Sequence, residues 1–289
     1  MDAFKIVDRA LSDVLAHGET RDGPPTLVTA MRYACFPGGA RLRPRLVLAV
    51  AQACGNDDPE LAAAAACAIE LLHCASLVHD DLPCFDDADI RRGKPSIHKA
   101  FGEPLAVLTG DALIVLAFEA LARGAARSPE RLAQLVMTFT RGAGAPFGIT
   151  AGQAWECEAS INLSKYQQAK TGSLFAAATV AGAEAAGANG TPWRAIGEYL
   201  GEAYQVADDI RDVVSTPEEL GKPIGQDELC DRPSAVREFG LDGAIAHLKH
   251  LVTQASESIP DCRGRNHLQT LIEVETKRFL PEALVQRAA

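Results

Sequence analysis

The sequence predicts an all-α protein, and three observations carry that prediction. Apolar residues recur at three- and four-residue spacings in Leu61–Val78, Leu105–Leu121, Leu132–Thr140 and Ile196–Val206, the period of a helix with a buried face. No stretch alternates apolar and polar residues in a way that reads as a strand. Breakers separate the periodic stretches: FPGG at Phe36–Gly39, GNDDP at Gly55–Pro59, RSPE at Arg127–Glu130 and GANGTP at Gly187–Pro192. About ten or more helices fit between such breakers. No fixed-period repeat and no low-complexity linker divides the chain, so residues 1–289 read as a single domain.

Along the chain, the opening MDAFKIVDRALSDV is charged and amphipathic, without the apolar core of a secretory signal. Leu61–Val78 is rich in Ala and Leu, and its short alanine runs suit tight helix packing. The longest run free of Asp, Glu, Lys and Arg is Gly142–Trp155. It is shorter than the about 20 apolar residues of a membrane span, so no span is expected. Apolar residues make up 47% of the chain and charged residues 23%, enough for a sizeable core and far from the composition of disorder. The net charge of −10 argues against a general nucleic-acid binder, which needs a basic footprint. Eight cysteines form no CxxC pair and are expected as reduced, core-type thiols in a cytoplasmic protein.

Two acidic clusters stand out. Asp80, Asp81, Asp86, Asp87 and Asp89 fall within LVHDDLPCFDDADIRRG, where an apolar helix ends and Pro83 interrupts it. Asp208, Asp209 and Asp212 fall within YQVADDIRDVV. Positions 208 and 212 share a helix face, and Asp209 points about 100° away. Like charges four apart destabilise a helix, and desolvation near an apolar wall adds to the cost. A hard divalent cation reverses that sign: Mg²⁺ takes one or two carboxylates together with waters and phosphate oxygens. The plain alternative is a pair of solvated acidic caps. Arg91 and Arg92 follow the first cluster, and Arg41, Arg43 and Arg45 follow a glycine pair expected to let backbone approach a ligand. Guanidinium matches phosphate oxygens in bidentate geometry. Metal-type acids beside such bases suggest two phosphate-bearing substrates.

These segments carry a family resemblance. FPGGARLRPRL, ELLHCASLVHDDLPCFDDADIRRGKPSIH, LTGDALI, AKTGSLF, YQVADDIRD and LGKPIGQDE occur in this order over about residues 36–228. The chain resembles the trans-isoprenyl diphosphate synthases, most closely the bacterial geranylgeranyl diphosphate synthases of carotenoid and (bacterio)chlorophyll pathways. The resemblance implies an isoprenoid-synthase helical bundle around a central apolar cavity, acting as a homodimer. It implies Asp80 and Asp86 as Mg²⁺ ligands with Asp81 in support, and Asp208 as the leading ligand of the second motif beside Asp209 and Asp212. Three Mg²⁺ ions per site are implied when diphosphate is bound. By the same resemblance Arg91 binds the allylic diphosphate, and Arg92, Arg43 and His73 bind isopentenyl diphosphate. Lys170, Thr171, Gln205 and Lys222 surround the allylic diphosphate and the developing cation. Ala40 and Gln226 stand where much of the family carries lysine, which removes two expected bases.

The implied chemistry is ionisation, condensation and elimination. The allylic diphosphate ionises with its developing charge stabilised electrostatically, the C=C of isopentenyl diphosphate attacks the cation, and a proton is lost to pyrophosphate. His73, His79 and His98 read as binding or structural groups. Within the family, an aromatic residue five positions before the first aspartate motif stops growth at C15. Here Ala75 leaves about one more helical turn, 5.4 Å, which favours a C20 product. Two rivals are a class I terpene cyclase, which would carry a different second motif, and a non-catalytic subunit, which typically loses one aspartate motif. Neither departure is seen.

Overall fold

The computed structural model describes residues 2–18, 23–160, 163–214 and 234–277. Lys222 and Gln226 lie outside the described residues. The elements are α-helical almost throughout: α1 (Ala3–Gly18), α2 (Pro25–Cys35), α3 (Leu42–Ala53), α4 (Pro59–Asp80), α5 (Ile97–Phe101), α6 (Glu103–Gly124), α7 (Leu132–Ala143), α8 (Ile149–Trp155), α9 (Leu163–Gln167), a π-helical turn (Gln168–Gly172), α10 (Ser173–Ala185), α11 (Arg194–Val214), α12 (Ala235–Glu257) and α13 (Arg265–Lys277). The four periodic stretches of the sequence fall on α4, α6, α7 and α11, and the four breakers fall between helices.

Helix α4 is the axis of the bundle. Asp58 caps it by accepting the Leu61 amide at 3.2 Å, and Pro59 occupies the first turn, where its missing N–H costs nothing. Apolar residues run around its whole circumference, so it is buried rather than half-exposed: Leu61, Ile69 and Leu71 are fully enclosed. Helix α6 lies along it. Every residue from Leu174 to Ala185 on α10 is buried, and its alanines let α3, α4, α7 and α11 approach closely. Phe139 and Phe175 fill the largest spaces of this core. Cys35, Cys67 and Cys74 are buried free thiols.

One expectation needs correcting. Ile90–Arg91 and Lys94–Pro95 pair as a minimal antiparallel hairpin, although the sequence showed no alternation. Two residues per strand are too few to show any. Its turn has Arg92 at φ 54° and Gly93 at φ 74°, positive at both positions as a tight hairpin turn requires. By length and composition alone, α4 and α6 would also be long and apolar enough to cross a membrane, as core helices can be. The count of uncharged runs missed them because Glu70 and Asp111 interrupt each run. The apolar window of α4 is 72% buried inside the fold, that of α6 44%.

Candidate active site

The last turn of α4 delivers Asp80, and the loop behind it folds back: the Asp86 amide donates to the Asp80 carbonyl at 3.0 Å. Carboxylate oxygens of Asp80, Asp86 and Glu156 all lie within 4.8 Å of one another. At that separation two carboxylates repel by roughly 3 kcal/mol at an effective dielectric of about 20. Lys170 offsets part of this, its Nζ 2.6 Å from Glu156 Oε1 and 3.4 Å from Asp80 Oδ1. Burial works against the Lys170 ammonium, but the surrounding acids outweigh it and hold its pKa above the ordinary lysine value. Burial also raises the Asp80 pKa, with Asp86 pushing the same way and Lys170 opposing. Asp80 Oδ1 is buried, with the Lys170 ammonium at 3.4 Å but no well-formed hydrogen bond. Three carboxylates this close together, one with a buried oxygen that makes no full hydrogen bond, fit a hard divalent cation.

Glu156 was not foreseen. It follows the C-terminus of α8 as a single acid in an otherwise ordinary stretch, and only tertiary folding brings it to Asp80. Gly152 makes this possible: a Cβ there would sit 2.4 Å from the Lys170 amide nitrogen, so α8 packs directly on the π-helical turn. Such turns are frequent at functional sites.

Asp81 is turned away from the trio. It is buried and accepts Arg91 Nε at 2.9 Å, with a second Arg91 nitrogen reaching the same oxygen. The arginine implied for the allylic diphosphate is thus seated on an aspartate in this structure. The second acidic cluster divides too. Asp208 pairs with Arg211 at 2.9 Å. Asp209 accepts Gln205 Nε2 at 3.0 Å and the Ala235 amide at 2.8 Å, which anchors the start of α12. Asp212 is buried. Among the described residues these three do not converge into a ligand trio like that of Asp80. Thr171 donates to Gln205 Oε1 at 3.0 Å, so Thr171, Gln205 and Asp209 form one chain of hydrogen bonds.

The basic element also resolves into separate roles. Arg41 is buried and bonds Glu70 at 2.6 Å and the Cys35 carbonyl at 2.7 Å. Arg45 forms a bidentate pair with Glu275 at 2.6 and 2.7 Å. Arg43 is not paired with an acid in this way: its guanidinium is 4.4 Å from the Phe175 ring centroid and Nη1 is 3.5 Å from His73 Nε2. The glycine pair serves arginines rather than ligand backbone: a Cβ at Gly38 would strike Arg41, and one at Gly39 would meet Arg92 Nε at 3.3 Å. Desolvation lowers the Arg43 pKa, and Arg92 adds to it. Desolvation and the charges of Arg43 and Arg92 push His73 well below the ordinary histidine value. Arg43 Nε and His73 Nδ1 are buried without hydrogen-bond partners. Excess positive charge with open donors is a cradle for an anion. His79 instead sits 3.1 Å from the Val107 carbonyl, and His98 Nδ1 3.1 Å from Ser96 Oγ, both structural contacts.

His73 and Asp80 are seven residues apart, two turns along one face of α4. Ala75, between them, is buried in the main core.

Known proteins share this architecture. A model of the polyprenyl synthetase family matches residues 24–267. A geranylgeranyl diphosphate synthase of Cereibacter sphaeroides is 53% identical over 281 residues, covering 97% of this chain and 98% of the relative. One from Rhodobacter capsulatus is 48% identical over 280 residues, 97% of both chains. A geranyltransferase from Helicobacter pylori, crystallised with magnesium and isoprenyl diphosphate, superposes with a TM-score of 0.80 at 30% identity, covering 95% of this chain and 96% of that one. On the family model over residues 24–267 and relatives this similar along their whole length, the chain belongs to the polyprenyl synthetase family.

Proposed function

We propose that this chain condenses isopentenyl diphosphate with an allylic diphosphate (dimethylallyl, geranyl or farnesyl) and releases geranylgeranyl diphosphate. The observation that carries this is a pair of oppositely charged clusters centred two turns apart on α4: Asp80 with Asp86 and Glu156 at one level, His73 with Arg43 and Arg92 at the other. Asp80, Asp86 and Glu156 would hold Mg²⁺, with Asp208 completing the set as the resemblance implies. Bound there, Mg²⁺ would draw charge from a diphosphate leaving group. Arg43, His73 and Arg92 bind the isopentenyl diphosphate without metal. Lys170, Arg91 and Lys222 add positive charge beside the allylic diphosphate. Thr171 and Gln205, linked by their hydrogen bond, line the path of the developing allylic cation. The C=C attacks that cation, and released pyrophosphate takes the proton, since His73, His79 and His98 serve binding or structural contacts.

The catalytic unit is read as the whole chain, acting in the cytoplasm as a homodimer. The outer face of α6 exposes Val107, Leu108, Ile114 and Val115, and Met137 is exposed on α7. A contiguous apolar stripe of this kind marks an interface. Asp111 on the same face is 60% exposed, which suits a protein partner better than lipid.

Calorimetric titration tests the two-level reading. Isopentenyl diphosphate is expected to bind without Mg²⁺ and to lose affinity in Arg43→Ala. Inorganic pyrophosphate is expected to bind tightly only with Mg²⁺, and not in Asp80→Asn. Metal-dependent binding of both, through one site, would refute it.

A further inference from the structure

We propose that Tyr166 is a positioning residue for the metal cluster, holding Glu156 in register with Asp80 and Asp86. The inference rests on the reading of those three acids as metal ligands. Glu156 lies just beyond the last turn of α8, and three donors hold its carboxylate: Lys170 Nζ at 2.6 Å and Tyr166 Oη at 2.6 Å on Oε1, and Gln153 Nε2 at 3.0 Å on Oε2. Tyr166 and Lys170 are four residues apart, so their side chains reach the same oxygen from one face.

The two donors to Oε1 differ in what happens when substrate arrives. Lys170 is a cation shared between Glu156 and Asp80, and a diphosphate is a stronger partner for it than either carboxylate. Drawn to that anion, it releases Glu156 at the moment the carboxylate must be oriented. The phenol of Tyr166 donates an uncharged O–H, which the diphosphate attracts less strongly than an ammonium, so it keeps its bond to Glu156. It therefore sustains the orientation that Lys170 sets in the empty site.

Tyr166→Phe isolates the hydroxyl, since the ring stays beside Lys170, whose Nζ is 5.7 Å from its centroid. The readout is Mn²⁺ bound in the presence of inorganic pyrophosphate, followed by the free-ion electron paramagnetic resonance signal. Tyr166→Phe is expected to raise the Mn²⁺ dissociation constant about tenfold, equivalent to about 1.4 kcal/mol. The metal-free protein should stay folded, with its melting temperature lowered by only a few degrees. In a Glu156→Gln background the same change should have no further effect on Mn²⁺. Unchanged Mn²⁺ affinity in Tyr166→Phe, with affinity lost in Asp80→Asn, overturns the role of Tyr166 and leaves the metal site standing. An equal loss in the Glu156→Gln background also overturns it, because the effect would not run through Glu156. Unchanged affinity in Asp80→Asn removes the metal reading itself, and this inference with it.

Discussion

Arg91 is bound to Asp81, its Nε 2.9 Å from Oδ1 and a second nitrogen on the same oxygen. Two adjacent aspartates at the end of α4 therefore do different work: Asp80 faces the acid trio, and Asp81 fixes the hairpin that presents Arg91 and Arg92. Burial raises the Asp81 pKa, and Arg91 opposes it. Asp81→Asn should weaken the grip on Arg91 while leaving Asp80, Asp86 and Glu156 in place. A hydrogen bond to a charged group contributes about 2 kcal/mol, so kcat/KM for the allylic substrate should fall about 30-fold. Asp80→Asn should cost at least ten times more. Steady-state kinetics of the two variants checks the order.

The three arginines of RLRPR should separate cleanly. Arg41→Ala leaves Glu70, 2% exposed, without its partner, and breaking such a buried pair costs about 3–5 kcal/mol. Its melting temperature should drop sharply. Arg43→Ala should change stability little and raise KM for isopentenyl diphosphate about 10- to 100-fold, the loss of one charge-assisted contact. Thermal melts and kinetics on both proteins suffice.

His73 predicts a pH signature. Its folded pKa is depressed, so the native ring stays neutral while an unfolded one, near pH 6.5, takes a proton. The stability it contributes is full above that pH and is lost as pH falls from there toward the folded pKa. Denaturant melts of the unmodified protein should lose stability between pH 7 and 5 that His73→Gln retains, by up to about 1.4 kcal/mol per pH unit. Saturating isopentenyl diphosphate should narrow the gap, because a bound anion favours the protonated ring.

Val115 is 66% exposed on α6. The proposed dimer predicts that the unmodified protein will sediment as a dimer and Val115→Glu as a folded monomer in sedimentation velocity.

Much of this was legible in the sequence for a physical reason. Long helices announce themselves by apolar period, and the first aspartate cluster is too costly to tolerate without a counter-ion. Charge alone could not say which of Asp80 and Asp81 joins Asp86 and Glu156, because one residue of helical phase decides it. Nor could spacing separate Arg43 from Arg41 and Arg45, whose partners Glu70 and Glu275 lie far along the chain. Glu156 carried no local signal. One acid after the uncharged run Gly142–Trp155 becomes a ligand candidate only through the packing of α8 on the π-helical turn. The glycine pair at Gly38 and Gly39 was read as backbone access, and the side chains of Arg41 and Arg92 occupy that space instead.

The most direct test is the length of the product. Purified protein with Mg²⁺ and isopentenyl diphosphate would be given dimethylallyl, geranyl or farnesyl diphosphate in turn, with Ala75→Phe in parallel. The products would be separated by chromatography. The expected result is a C20 diphosphate from each primer, abolished by EDTA, and a C15 product from Ala75→Phe. Absence of condensation from every primer, by folded protein with Mg²⁺ present, would contradict the account.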